Sequence, residues 1–492
     1  MAVLDIVLIS FYVVVLLCLA IYGFHRSTLV ALYYRHKNNR PKPKSRFEEL
    51  PHVTVQLPMF NEMYVAERLL EATARIDYPR DRLEIQVLDD STDETQQICK
   101  DKVDELRERG LDVAYIHRTD RQGFKAGALE NGLAEAKGEF VLVFDADFIP
   151  NEAILKETVH FFTDPEVGMV QVRWGHINRD YSALTQVQSV MLDGHFLIEH
   201  TARHRSGRFF NFNGTAGIWR REAIKTSGGW QHDTLTEDLD LSYRAQLEGW
   251  KFVYLPQILS PAEVPVEMNS FKSQQFRWAK GSIQVAQKLL PVVLKSKVSW
   301  KVKMEAFFHL TNNFAYPLLF LLSLLLLPNL LVRTTHGWRE VLILDVPLFL
   351  GTTFSVAMFY LITQREEGHT GFWRSLGRIP LVLSLGIGLC VNQSRAVLEA
   401  LRGKASEFVR TPKTGVVSRV EKWTKRKYRA GNSLVPYIEV AMGLYFLGAM
   451  GAAARGGHWV SMPFIFLFLM GYWYVGVASF LHRRAQAKSS RK

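Results

Sequence analysis

Five stretches, Val3–Phe24, Phe307–Val332, Val341–Ile362, Leu434–Ala454 and Trp459–Leu481, are apolar for about 20 residues, enough for a helix to cross the hydrocarbon core of a bilayer. Their few polar interruptions, Asp5, Asn312, Asn313, Asp345 and Glu439, lie mostly near segment ends. A chain so punctuated is an integral membrane protein. Val3–Phe24 lacks the basic leader and small-residue cleavage site of a signal peptide, and the basic stretch HRSTLVALYYRHKNNRPKPKSR follows it. It is therefore expected to be a retained span.

The net charge of +12 invites a nucleic-acid reading until its location is considered. His25–Arg46 carries seven Lys/Arg and no acid, Arg402–Arg429 ten against two acids, and Arg483–Lys492 five. Those segments total +20 and leave the rest of the chain at about −8. The basicity thus marks membrane flanks, as the positive-inside rule expects, and no nucleic-acid partner is expected. With the flanks inside, the first span runs out-to-in and the main polar region is cytoplasmic. A weaker apolar segment, Ile379–Leu401, contains Asn392, Gln393, Arg395 and Glu399, with basic residues on both sides. Five spans with Ile379–Leu401 as an interfacial helix keep every basic loop inside. Three distant cysteines, Cys18, Cys99 and Cys390, have no metal-ligand spacing and form no disulfide framework. A reducing compartment is expected.

Between the first two spans, short β-branched runs (HVTVQLP, LEIQVLDD, DVAYIHR, FVLVFDAD, VGMVQVRW) alternate with helical patterns. That alternation predicts a mostly parallel sheet covered on both faces. Ligands of such sheets bind at the carboxyl ends of the strands, which here read MFNE, DDSTD and DAD.

Asp89 and Asp90 in LDDSTDET suit a loop that binds a sugar or base, although the same residues make an ordinary turn and helix cap. In VLVFDADFIP, alternation points Asp145 and Asp147 to one side, where they could share Mg²⁺ or Mn²⁺; the alternative is a solvated strand-end turn. TLTEDLDL opens a helix with Glu237 and Asp238, which the helix dipole favours in any case; in a functional reading Asp238 is a general base held ionised. NFNGTAGIWRR is a loop through which backbone can approach a ligand closely. Lys125 in RQGFKAGALENGL suits a phosphate contact or a plain surface position. Neither a Walker loop nor a GxGxxG after a strand is present, so an ATPase or dehydrogenase has no support.

VQLPMFNE, VLDDSTD, KAGAL, FDADF, FNGTAG, TEDLDL and QQFRW, in that order, resemble the processive family 2 glycosyltransferases of the membrane. The resemblance is strongest to the cellulose-synthase-like group A, the glucomannan and mannan synthases, and their bacterial relatives. It implies a GT-A-type α/β domain, a Rossmann-like mixed sheet in the cytoplasm, joined to an α-helical transmembrane bundle. It further implies that Pro58, Phe60 and Glu62 form the base pocket and that Asp89 and Asp90 bind the nucleotide. Lys125, Asp145, Gln274 and Arg277 would complete the donor site, with Asp145 and Asp147 holding a divalent metal. Asp238, beside Glu237, would be the catalytic base. Phe212, Asn213, Gly214, Thr215 and Trp278 would face the acceptor. SEFVRTPKTG resembles the family's mobile gating loop, with Phe408, Arg410, Thr411 and Lys413 as working residues; the family usually carries valine where Arg410 stands.

The organisation implied is a transmembrane helix (1–25), a basic linker (26–46), the glycosyltransferase domain (47–302) and two transmembrane helices (303–364). An interfacial helix and gating loop (365–433), two further transmembrane helices (434–482) and a basic tail (483–492) follow. The function expected is inverting transfer of a hexose from UDP-glucose or GDP-mannose to a growing β-glycan, processive and coupled to translocation. A glycolipid synthase adding one hexose to ceramide or diacylglycerol is the alternative. An inactive scaffold or transporter of the same fold is disfavoured, because every carboxylate the chemistry needs is present.

Overall fold

A computed structural model of the protein describes residues 3–336, 348, 350–368, 371–404, 410–428, 431 and 433–489. Most of the polar region folds around a seven-stranded sheet of order β3-β2-β1-β4-β6-β5-β7. The strands are β1 Val53–Met59, β2 Leu83–Asp89, β3 Asp112–His117, β4 Phe140–Val143, β5 Val167–His176, β6 Gly217–Arg220 and β7 Lys251–Ala262. β1, β2, β3 and β4 run parallel, whereas β6 is antiparallel to both β4 and β5. The sheet is therefore mixed. β6 and β7 were not among the strand-like runs of the sequence, because β6 spans only four residues and both lie beside stronger helical patterns.

Every residue of β2 is buried, as in a central strand covered on both faces. Its polar residues Glu84 and Gln86 are matched across the register to β1. Thr54 Oγ1 donates to Glu84 Oε2 at 2.6 Å and Gln56 Nε2 donates to Gln86 Oε1 at 3.0 Å. A buried donor left without a partner costs about 1–3 kcal/mol, so these pairs hold the register as well as the strands. The helices that cover the sheet include Ala66–Ala74, Thr95–Glu108 and Phe124–Glu135.

Among the described residues, four helices are long and apolar enough to cross a membrane: Val3–His36, Trp300–Thr335, Val435–Gly456 and Trp459–Lys488. The second is interrupted by a tight turn at Asn312–Phe314, within the span expected from Phe307. Val3–His36 has 34 residues and is about 51 Å long, so it extends beyond a hydrocarbon core of about 30 Å. Of the expected span Val341–Ile362, residues 341–347 and 349 lie outside the described residues; Ser355–Glu367 is helical. Ile379–Leu401 falls on two helices, Phe372–Gly388 and Cys390–Leu401, bent by 40° at their junction.

Candidate active site

The carboxyl ends of β1, β2 and β4 open onto a cavity of about 170 Å³. Pro58, Phe60 and Glu62 line it after β1, Asp90 after β2, and Asp145 and Asp147 after β4. The helix Glu237–Leu247 adds Glu237 and Asp238 from its first turn. The long helix Met268–Lys295 adds Gln274, Arg277 and Trp278, and is capped by Glu267, whose carboxylate accepts from the backbone N–H groups of Asn269 and Ser270. Arg410, Thr411 and Lys413, more than 100 residues further on, close the remaining side. Phe408 lies outside the described residues.

Salt bridges divide the cavity. Lys125 Nζ lies 2.5 Å from Asp145 Oδ1 and donates to Gly214 O at 2.8 Å. Lys413 Nζ lies 2.6 Å from Asp147 Oδ1, and Arg410 Nη1 3.2 Å from Glu62 Oε2. Arg277 Nη2 donates to Thr411 Oγ1 at 3.1 Å, which ties the long helix to the 410–413 segment. Burial pushes the Glu62 carboxyl up to about 8, outweighing Arg410 and Lys413.

Asp238 stands in the first turn of its helix, next to Glu237. Burial, then the neighbouring Glu237 carboxylate, push it up to about 7, while Lys125 and the backbone N–H of Leu239 pull the other way. That N–H donates to Asp238 Oδ1 at 2.8 Å. The room beside Asp238 depends on Gly214, whose φ is +78°. A Cβ there would strain the backbone and stand 3.1 Å from Asp238 Oδ2. A carboxylate poised near neutrality in a cleft fits general-base work.

Three residues expected at the site lie behind its wall. Phe212 is buried against Trp219 and Trp230 in the core under the sheet. Thr215 is buried and its hydroxyl accepts from the backbone N–H of Asp145 at 2.9 Å. Asp89 is buried and accepts from Tyr115 Oη at 2.6 Å and Ser91 N at 2.9 Å. In contrast, Arg118 and Arg121 were not singled out in the sequence. Arg118 grips Asp90 with two N–H groups, Nε to Oδ1 at 2.9 Å and Nη2 to Oδ2 at 2.6 Å. The Arg121 guanidinium lies 3.3 Å from the centre of the Phe60 ring. Their signal was faint: two arginines just before KAGAL, in a loop whose shape is not periodic.

Among the described residues, no group of three or more His, Cys, Asp or Glu side chains is arranged to hold a metal ion. Two carboxylates at the end of β4 still fit a hard cation that takes its other ligands from phosphate and water oxygens, as Mg²⁺ commonly does.

Residues 51–281 match the family described as "Glycosyltransferase like family 2". The chain is 34% identical over 423 residues to glucomannan 4-beta-mannosyltransferase 2 of Arabidopsis thaliana, covering 82% of this chain and 76% of that protein. Its fold is similar to that of a mannosyltransferase from Pyrobaculum calidifontis, solved with GDP-Man and Mn²⁺, at a TM-score of 0.55 and 21% identity, covering 80% of this chain and 100% of that one. The chain belongs to glycosyltransferase family 2, in its cellulose-synthase-like group, and is a hexosyltransferase that makes a glycan from a nucleotide-sugar donor.

Proposed function

We propose that the chain is a metal-dependent, inverting β-mannosyltransferase that extends a polysaccharide from GDP-mannose and passes the product into its own membrane helices. The observation that carries the reading is Asp238, half-buried near the Lys125–Asp145 pair in a cavity that Trp278 also lines. The mannosyl specificity of the plant relative supports the choice of sugar, and the GDP-Man bound by the archaeal protein of similar fold is consistent with the choice of nucleotide.

In this reading Asp238 accepts the proton of the acceptor hydroxyl as that oxygen bonds to the anomeric carbon. The bond from that carbon to the diphosphate breaks on the opposite face, so an α-linked donor gives a β-linked product. Lys125 and Arg277 offset the charge on the leaving diphosphate. A Mg²⁺ or Mn²⁺ held by Asp145 and Asp147 would add Lewis-acid stabilisation to the same diphosphate. Phe60, Glu62, Asp90 and Gln274 would bind the rest of the donor, and Trp278 would stack on the acceptor sugar. Arg410, Thr411 and Lys413 would close over the donor.

A second cavity, of about 560 Å³, supports the translocation part of the reading. It runs among the membrane helices, past Tyr22, Asn312 and Tyr316 to Arg333 and His458. It is also lined by Met191, next in the chain to Leu192 of the first cavity. The test is to supply the purified protein, in a lipid bilayer nanodisc with Mn²⁺, with labelled GDP-mannose, UDP-glucose and other donors, and to size the product. A mannanase-sensitive polymer made from GDP-mannose is expected. A lipid carrying one hexose would replace this reading with a glycolipid synthase.

A further inference from the structure

The helix after β5 changes its winding where it passes the active site. Ala183–Asp193 is an α-helix, Gly194–His200 is a π-helix, and Thr201–Arg205 is α-helical again. π-turns are rare and tend to mark functional sites. Here the turn has a definite geometric result. In an α-helix five residues advance about 500°, which leaves residues i and i+5 about 140° apart. With the i→i+5 bonding of a π-turn they share a face. His195 and His200 are five apart, and their ring centres are 4.3 Å from each other.

Both rings meet one side chain, Asn213. Its Nδ2 donates to His195 Nε2 at 2.9 Å, and its Oδ1 accepts from His200 Nε2 at 2.7 Å. One histidine therefore acts as acceptor and the other as donor, so the carboxamide is satisfied in only one of its two orientations. His200 Nε2 also lies 3.0 Å from Asn211 O, a second acceptor that favours the same donating tautomer. His195 is set from behind, its Nδ1 3.3 Å from Glu199 Oε2. Glu199 in turn lies 3.3 Å from Arg203 Nη2, and Arg203 Nε is 2.9 Å from Glu305 Oε1. Gly194 lets the turn touch the helix Ser355–Glu367, since a Cβ there would stand 2.6 Å from the Phe359 ring.

Asn213 lines the active-site cavity and immediately precedes Gly214, whose carbonyl receives Lys125 and whose bare Cα leaves room beside Asp238. We propose that His195 and His200 are positioning residues that clamp the Asn213 carboxamide, and so fix the 213–215 loop against Asp238 and orient the acceptor. This rests on the transfer reading above. It adds an assignment of two histidines that stand behind the cavity lining. A clamp of this kind acts on how often the acceptor sits correctly, and a small misplacement of reacting groups can cost about 100-fold in rate.

The test uses the full chain in nanodiscs and compares His195→Leu, His195→Gln, Asn213→Ala and the double variant His195→Leu/Asn213→Ala. Gln can place an acceptor where Nε2 stands and serves as the conservative replacement. His195→Leu should lower kcat about 10- to 100-fold with GDP-mannose KM within twofold of wild type, and His195→Gln should recover most of it. The double variant should be no slower than Asn213→Ala alone. Hydrogen–deuterium exchange, which needs no donor, should rise in the segment 211–217 of His195→Leu and stay at the wild-type level in His195→Gln. Wild-type exchange in that segment of His195→Leu overturns the proposal, as does a rate loss that simply adds to that of Asn213→Ala. Absence of transfer by the wild-type protein from any donor would fail the functional reading instead, and the exchange result would still decide whether the clamp exists.

Discussion

Asp238 is held where burial and a neighbouring carboxylate oppose its ionisation, and Lys125 only partly offsets them. As a base it works only when ionised. The rate kcat/KM should therefore rise with pH through about 7 and then level off. Glu237 is the second-largest cause of the raised value, so Glu237→Gln should move this acid limb to lower pH, measurable from the pH profile at fixed metal concentration. Asp238→Asn should lower turnover by about 10²–10⁴-fold while GDP-mannose binding, followed calorimetrically, survives. Full activity in that variant would end the assignment. The same group also affects stability. A carboxyl raised in the folded state opposes folding once pH exceeds its unfolded value of about 3.9, and does so fully above its folded value. In chelator, Asp238→Asn should melt higher than wild type at pH 8 and equally at pH 4.

At the scale of elements, the helix Met268–Lys295 carries Gln274, Arg277 and Trp278 and is fastened along its length to other helices. Lys272 Nζ lies 2.7 Å from Glu439 Oε2 of the span Val435–Gly456, with both side chains buried. Asn392 and Gln393 donate to the backbone carbonyls of Lys272 and Gln275 at 2.9 and 3.0 Å. Removing one partner of a buried ion pair costs about 3–5 kcal/mol, because the other charge is left without compensation. Glu439→Gln should lower the melting temperature accordingly, and Lys272→Met/Glu439→Leu should recover most of the loss. Gly194→Val should also destabilise the fold by about 1–3 kcal/mol, read as a lower melting temperature, since the Phe359 ring leaves no room for the side chain.

Elements of this kind differ in how well the sequence announces them. Runs such as FVLV ending in DAD were legible because strand and chemistry adjoin. The first turn of Glu237–Leu247 was legible because acids at a helix start have a physical reason. Phe212 reads like a site residue from its motif, yet it is buried beside Trp219 and Trp230, and nothing local distinguishes an aromatic that faces inward. The π-turn was invisible, because a pattern of period 3.6 sets His195 and His200 on different faces. The pairing of Arg410 with Glu62 joins residues some 350 positions apart, beyond any local signal.

At the scale of the whole molecule, the apolar blocks foretold most of the spanning helices, and the basic flanks support a cytoplasmic orientation as a proposal. The expected unit 47–302 is not closed on itself, since the wall Arg410–Lys413 and the partner of Lys272 both come from outside it. A protein cut to that unit should still bind nucleotide weakly but transfer no hexose, which binding and turnover assays on the same preparation would separate. The Lys272–Glu439 tie has a consequence for the surroundings as well. A span answers a thinner or thicker bilayer by changing its tilt, at a modest cost per ångström. A tilt of Val435–Gly456 would pull through that tie on the helix bearing Trp278. Turnover should therefore vary with lipid chain length, which assays in nanodiscs of shorter and longer lipids would check, and the dependence should weaken in Lys272→Met/Glu439→Leu.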